Sequence, residues 1–104
     1  MIDFGQITGV DWDKGNRSKN WDLHRVEWWE AEEIFFGYPL LIYPDPEHSR
    51  IEDRFFCLGR TRVERFLFVV FTVRANKIRV ISARDMSKKE RRIYDEASQE
   101  DSQV

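Results

Sequence analysis

A chain of 104 residues with eight Phe, four Trp and 41% hydrophobic residues can build one domain with a sizeable core, and not two. It holds no apolar run of the ~18 residues that a membrane helix needs, and its opening residues lack the basic and apolar segments of a secretion signal, so a cytoplasmic address and no membrane partner are expected. The single cysteine, Cys57, excludes an internal disulfide and reads as a small buried apolar residue. The net charge of −2 argues against a nucleic-acid partner only until it is mapped along the chain. Residues 1–49 carry ten Asp/Glu against four Lys/Arg, residues 50–84 carry nine Lys/Arg against three Asp/Glu, and residues 85–104 six Asp/Glu against four Lys/Arg. A basic middle segment is therefore hidden inside a neutral total, which fits a polyanion site or a sheet neutralised by acidic helices.

Val10 to Asp13 reads as a short strand or its end, after which Asp13 is placed to cap a helix through Asn16, Lys19, Asn20 and Leu23. Trp21 and Leu23 are the expected anchors of this helix, and His24 closes it. From Glu27 to Phe36 the spacing predicts a second helix that buries Trp28, Ala31, Ile34 and Phe35 and turns Glu30, Glu32 and Glu33 to water. Glu27 and Glu30 suit the positive end of its dipole, and Gly37 stands just past its end. A metal site would require a second set of His or Asp at helical spacing, so no metal and no cofactor are expected. Leu40 to Tyr43 is a short strand stopped by Pro44-Asp45-Pro46, followed by a polar loop that contains His48. Arg54 to Arg60 is the next strand, with Gly59 marking a bulge or a close approach, and Arg60 to Glu64 make the connection onward.

Residues 65–84, RFLFVVFTVRANKIRVISAR, read as two long strands around a turn at Ala75-Asn76-Lys77. In the first, Phe66, Phe68 and Val70 line one face while Leu67, Val69, Phe71 and Val73 line the other, which predicts a central strand covered above and below. The second, Ile78 to Ala83, delivers Arg79 and Arg84, and these have opposite parity on an ideal strand; they share a face only if the chain bends near Ser82. Ser87-Lys88-Lys89-Glu90 is a capping-box pattern, and Ile93, Tyr94 and Ala97 are expected to pack the helix that follows onto the sheet. The polar tail from Ser98 to Val104 is expected to fray. The predicted class is α+β, a central antiparallel sheet packed with helices in the order β-α-α-β-β-β-β-α, in one domain over 1–104 with its core at about 10–97.

Several of these blocks together resemble the BrnT family, the toxin half of bacterial type II toxin–antitoxin pairs. They are Trp12-Asp13, Asn20, His24 and Val26, the Glu30-Ala31-Glu32-Glu33-Ile34-Phe35 run, Glu52-x-Arg54, Gly59, Val69-Val70-Phe71-Thr72-x-Arg74, Ile78 to Arg84, Glu90 and Tyr94. The resemblance implies a RelE-like fold, a ribonuclease activity that slows growth, and inhibition by a BrnA-like antitoxin, with assembly of toxin and antitoxin on DNA as a further implication.

Metal-free cleavage of RNA needs a base for the 2′-hydroxyl, cations for the charge that builds on phosphorus, and an acid for the departing 5′ oxygen. Arg74, Arg79 and Arg84 are the candidate cations, because a guanidinium matches phosphate oxygens with forked donors. His24 is the candidate acid or base by its ordinary pKa, although a histidine at a helix end also serves structural roles. Glu52 is the alternative base, although its position favours a surface pairing with Arg54, while Arg74 can instead pair with Glu90 or Glu52. Arg54, Arg60, Lys77 and Lys88 are candidate RNA-binding cations, and Tyr94 is either a core-edge aromatic or a base stacker. Two functions fit: a ribonuclease toxin that acts on RNA, or an antitoxin-binding module that supports operator regulation without cleavage. The net charge, with Leu23 and Arg25 around His24 where the family often has Lys and Gly, favours the module. The arginines and His24 favour the enzyme, which is the reading taken forward.

Overall fold

The computed structural model describes residues 4–12, 14–48 and 51–102. Its centre is the hairpin of β4 (Phe66–Arg74) and β5 (Lys77–Asp85). Ala75 and Asn76 both adopt left-handed backbone, with φ of 50° and 62°, so Arg74 and Lys77 pair across a two-residue turn whose twist suits the strands it joins. β3 (Arg54–Arg60) pairs antiparallel with β4, and β2 (Leu41–Pro44) pairs antiparallel with β3 at one edge. At the other edge β1 (Gly9–Asp11) runs parallel to β5, so the five-stranded sheet, in the order β1-β5-β4-β3-β2, is mixed and not wholly antiparallel as expected. The parallel pairing is possible because the chain between β1 and β5 includes helices and three strands, ample length for a crossover.

The helices α1 (Lys14–His24) and α2 (Trp28–Glu33) cover one face of this sheet, and α2 tightens into a 3₁₀ turn, Ile34–Phe36. The core under them is Val26, Ala31, Ile34, Cys57, Leu67, Val69, Phe71, Ile78, Val80 and Ala83. The third helix, α3 (Lys88–Ser102), crosses only one end of the opposite face, where Tyr94 meets Phe66 edge to face at 5.9 Å and donates its hydroxyl to the Pro39 carbonyl at 2.7 Å. Leu67, Val69 and Phe71 are therefore fully buried, whereas Phe66, Phe68 and Val70 are half-buried: the central strand is covered completely on one side and in part on the other. Among the described residues no helix is long and apolar enough to cross a membrane.

Several expectations for the helices are corrected. Trp21 and Leu23 do not anchor α1; they are 40% and 64% exposed, and the buried residue is Asn20, whose Oδ1 accepts the Ala83 N–H at 3.0 Å. That hydrogen bond satisfies a backbone donor beyond the end of the short β1 pairing, which explains why a polar residue is buried there. Glu30 does not face water. It is buried, and its carboxylate accepts the Glu27 N–H at 3.0 Å and Arg65 Nη1 at 2.9 Å. Ile93 is exposed, so Tyr94 is the residue that seats α3. The helix α3 runs on through Ser98 to Ser102. The capping role expected of Asp13 lies outside the described residues. At α3 the capping box forms: Glu90 N–H donates to Ser87 Oγ at 3.2 Å, and Ser87 N–H to Glu90 Oε1 at 2.8 Å.

Gly59 is where the 3₁₀ turn after α2 packs closely on β3. A Cβ built there would stand 2.9 Å from Ile34 Cβ and 3.2 Å from Leu40 Cδ1. Gly59→Ala is expected to lower stability by about 1–3 kcal/mol in a urea titration, whereas Gly9→Ala, with nothing within 4 Å of the new methyl, serves as the control for lost backbone freedom.

Candidate functional site

The register between β4 and β5 decides which side chains share the open face. Leu67 to Val70 pair with Asp85 to Ser82 in sequence, and Phe71 then pairs with Val80, so Ile81 is an extra residue on β5. This bulge reverses the parity of everything before it. Val80 and Ala83 can both point into the core as a result, and Arg79 and Arg84 both point to the opposite face. The bend expected near Ser82 is this inserted residue.

Paired residues share a face, so the rows of the open surface follow from the pairing. Arg54, Thr72 and Arg79 form one row across β3, β4 and β5, with Asp11 of β1 beside Arg79 and the Arg74–Lys77 pair beyond. Thr72 is buried beneath this row and donates its hydroxyl to the Asp53 carbonyl at 2.7 Å. Glu52 reaches the row from the preceding segment: Arg74 Nε and Nη2 donate to its two oxygens at 2.7 and 3.0 Å. The Arg74 guanidinium holds the Glu52 carboxyl below its ordinary value, against a small opposing effect of burial, and the charges of Arg54 and Arg79 push the same way. One carboxylate thus stands among three guanidinium groups, and Arg74 binds it with two donors.

Arg84 lies two rows away, four residues along β4 or about 13 Å. Its guanidinium sits 4.1 Å from the centre of the Phe68 ring and donates to both Glu90 oxygens, at 2.8 and 2.9 Å. Burial raises the Glu90 pKa, but the hydrogen bonds from Arg84 and Ser87 outweigh it, and the net shift is downward. Between the two cationic rows runs a line of rings. Phe68 stacks on Phe56 at 5.5 Å with 27° between planes, and Phe56 stacks on Tyr43 at 5.2 Å with 24°. Sequence reading missed this line; its signal is the placement of Tyr43, Phe56 and Phe68 at same-face positions of three strands, legible only once the register is known.

The other predicted residues are not brought to this face. Asp85 pairs with Leu67 and so lies on the helix-covered side, where Arg65 Nε donates to it at 2.8 Å. That bond holds its carboxyl below the ordinary value against burial, with a smaller contribution from the charge of His24; His24 ends α1, the helix that packs on β5. Arg65 also donates to the Arg25 carbonyl at 2.9 Å and to Glu30, tying both helices to the central hairpin. Tyr94 is fully buried and cannot stack on a base, a correction that follows from its place on the sheet-facing side of α3 against Phe66. Arg60 lies 3.7 Å from Glu64 across the β3–β4 turn; Lys88, at the start of α3, and Lys77, at the hairpin turn, are exposed. His48 pairs with Asp45 at 3.0 Å on the surface. Among the described residues no group of three His, Cys, Asp or Glu side chains is arranged to hold a metal ion.

Comparison with known families gives one match. The model of BrnT, the ribonuclease toxin of type II toxin–antitoxin systems, matches residues 12–90, most of the chain. No curated protein matches.

The paired carboxylates set the acid limb of stability. Glu52 and Glu90 are held below 4.5 in the folded state, so the stability they contribute is fully present above that value and is lost as pH falls through the lower folded pKa. Urea midpoints measured from pH 7 downward are expected to hold to about pH 4.5 and then fall. Replacing Glu90 by Gln is expected to lower the neutral-pH midpoint and make this fall shallower.

Proposed function

The chain belongs to the family of BrnT ribonuclease toxins of type II toxin–antitoxin systems, and from that membership we propose that it is an endoribonuclease, independent of metal ions, that a BrnA-like antitoxin holds in check. The observation that supports this reading is the gathering of Glu52, Arg54, Arg74 and Arg79 on one exposed sheet face. In the proposed reaction Glu52 accepts the proton of a 2′-hydroxyl, and the freed oxygen attacks the adjacent phosphorus. The bond to the 5′ oxygen breaks, and that oxygen leaves with a proton from water, so the products are a 2′,3′-cyclic phosphate and a 5′-hydroxyl. Arg54 and Arg79 meet the negative charge that builds on the phosphoryl oxygens, and Arg84 holds a neighbouring phosphate. Arg74 holds Glu52 in place and lowers its basicity, a balance that favours modest turnover.

One observation favours a second reading. Arg74 and Arg84 each give two donors to a carboxylate, Glu52 and Glu90, which is how arginines are held when their task is to shape a surface. On that reading the chain is an antitoxin-binding module that joins its antitoxin on operator DNA and does not cut RNA.

Purified protein incubated with a defined RNA in EDTA separates the two. Cleavage that leaves cyclic phosphate ends is expected, with Arg79→Ala and Arg84→Ala each reduced by about 10²-fold or more and both still folded and bound by the antitoxin. Full toxicity of both variants in cells would move the site elsewhere. An intact RNA after incubation with folded, antitoxin-free protein, alone and with ribosomes, would favour the binding module.

A further inference from the structure

The line of rings on the open face is closed at one end and open at the other. Arg84 caps the Phe68 ring, Phe68 covers one face of Phe56, and Tyr43 covers the other. Both faces of Phe56 are thus occupied, and no planar group can enter the middle of the line without separating rings already in contact. Tyr43 is different. It is half-buried on β2, the edge strand, with no strand beyond it, and among the described residues Phe56 is the one ring stacked on it. The cation nearest in register is Arg54, one same-face position beyond the Phe56 partner of Tyr43 and about 7 Å along β3. Asp45 N–H donates to the Arg54 carbonyl at 2.9 Å, which fixes the end of β2 against that arginine's backbone.

From this arrangement we infer that the outer face of Tyr43 is a nucleobase-stacking subsite, which takes one unpaired base of a single-stranded RNA as the next rung of the line while its phosphate lies on Arg54. The inference rests on the reading of the chain as an RNA-cleaving toxin and adds a place where the strand is gripped beside the reacting phosphate. Two features of this face select the occupant. The adjoining row of Arg54, Arg74 and Arg79 complements a phosphate backbone, and a terminal aromatic face complements any base. A duplex is disfavoured because its bases already stack on one another and offer no free face at the sheet edge.

The test uses the full chain and a short RNA with 2′-O-methyl riboses, which binds but cannot be cut, carrying a single 2-aminopurine. Fluorescence titration of the parent is expected to show quenching of the stacked base, and Tyr43→Phe is expected to match it. Tyr43→Leu, which keeps an apolar cover on Phe56, is expected to bind about tenfold more weakly and to lose the quenching. The same base in a blunt duplex is expected to remain unquenched. Parent protein that binds the RNA with no quenching at any position of the probe overturns the subsite and leaves the ribonuclease reading intact, whatever the fold of the variants. So does Tyr43→Leu that binds like the parent; if that variant loses antitoxin instead, Tyr43 belongs to the protein interface. Parent protein that binds no RNA overturns the subsite, and, where it also leaves RNA intact alone and with ribosomes, the ribonuclease reading with it.

Discussion

Arg79 and Arg84 stand five positions apart on one strand, and in an uninterrupted strand they would point to opposite sides of the sheet. The extra residue at Ile81 removes that conflict. It lets Ile78, Val80 and Ala83 all contribute to the core while the charged positions between and beyond them face outward. Without it, the register that buries Ala83 would drive Arg79 under the helices, where a guanidinium has no partner and its desolvation would cost several kcal/mol. The division of the sheet into a helix-covered apolar face and an open cationic one depends on this single insertion.

Electrostatic pairing then organises both sides. On the covered side Arg65 binds Glu30, Asp85 and the Arg25 carbonyl, so one side chain joins two helices to the central hairpin. On the open side Glu90 has two tasks: it closes the first turn of α3 and it orients Arg84 over Phe68. Arg84 is thereby held in place before any ligand arrives, which reduces the side-chain freedom lost on binding. The acidic residues that bring the net charge to −2 are in part these positioning partners, which is why a chain with that charge can carry a basic face.

Period-two and helical patterns made the elements legible, because apolar spacing is a local property. The capping box at Ser87 and the turn at Ala75-Asn76 were legible for the same reason. What lay out of reach was pairing between distant segments. Whether Arg74 bound Glu52 or Glu90, whether β1 lay parallel to β5, and whether Tyr43, Phe56 and Phe68 met are questions of register across tens of residues. Helical spacing also misplaced Glu30, which polarity sent to water, and gave no reason to bury Asn20; each is buried by a specific distant partner, Arg65 and the Ala83 amide. The candidate site was legible as a set of arginines. Its division into two rows came from the fold.

Cys57 is fully buried in β3 among core side chains, and burial pushes its thiol far above the ordinary value. The native molecule therefore offers alkylating reagents almost no thiolate, and modification waits on an opening that exposes the strand. Since Cys57 faces Val69 on the central strand, that opening is one that parts the middle of the sheet. The chain carries in its lone thiol a built-in clock for the rate and free energy of core exposure, readable by the mass that alkylation adds.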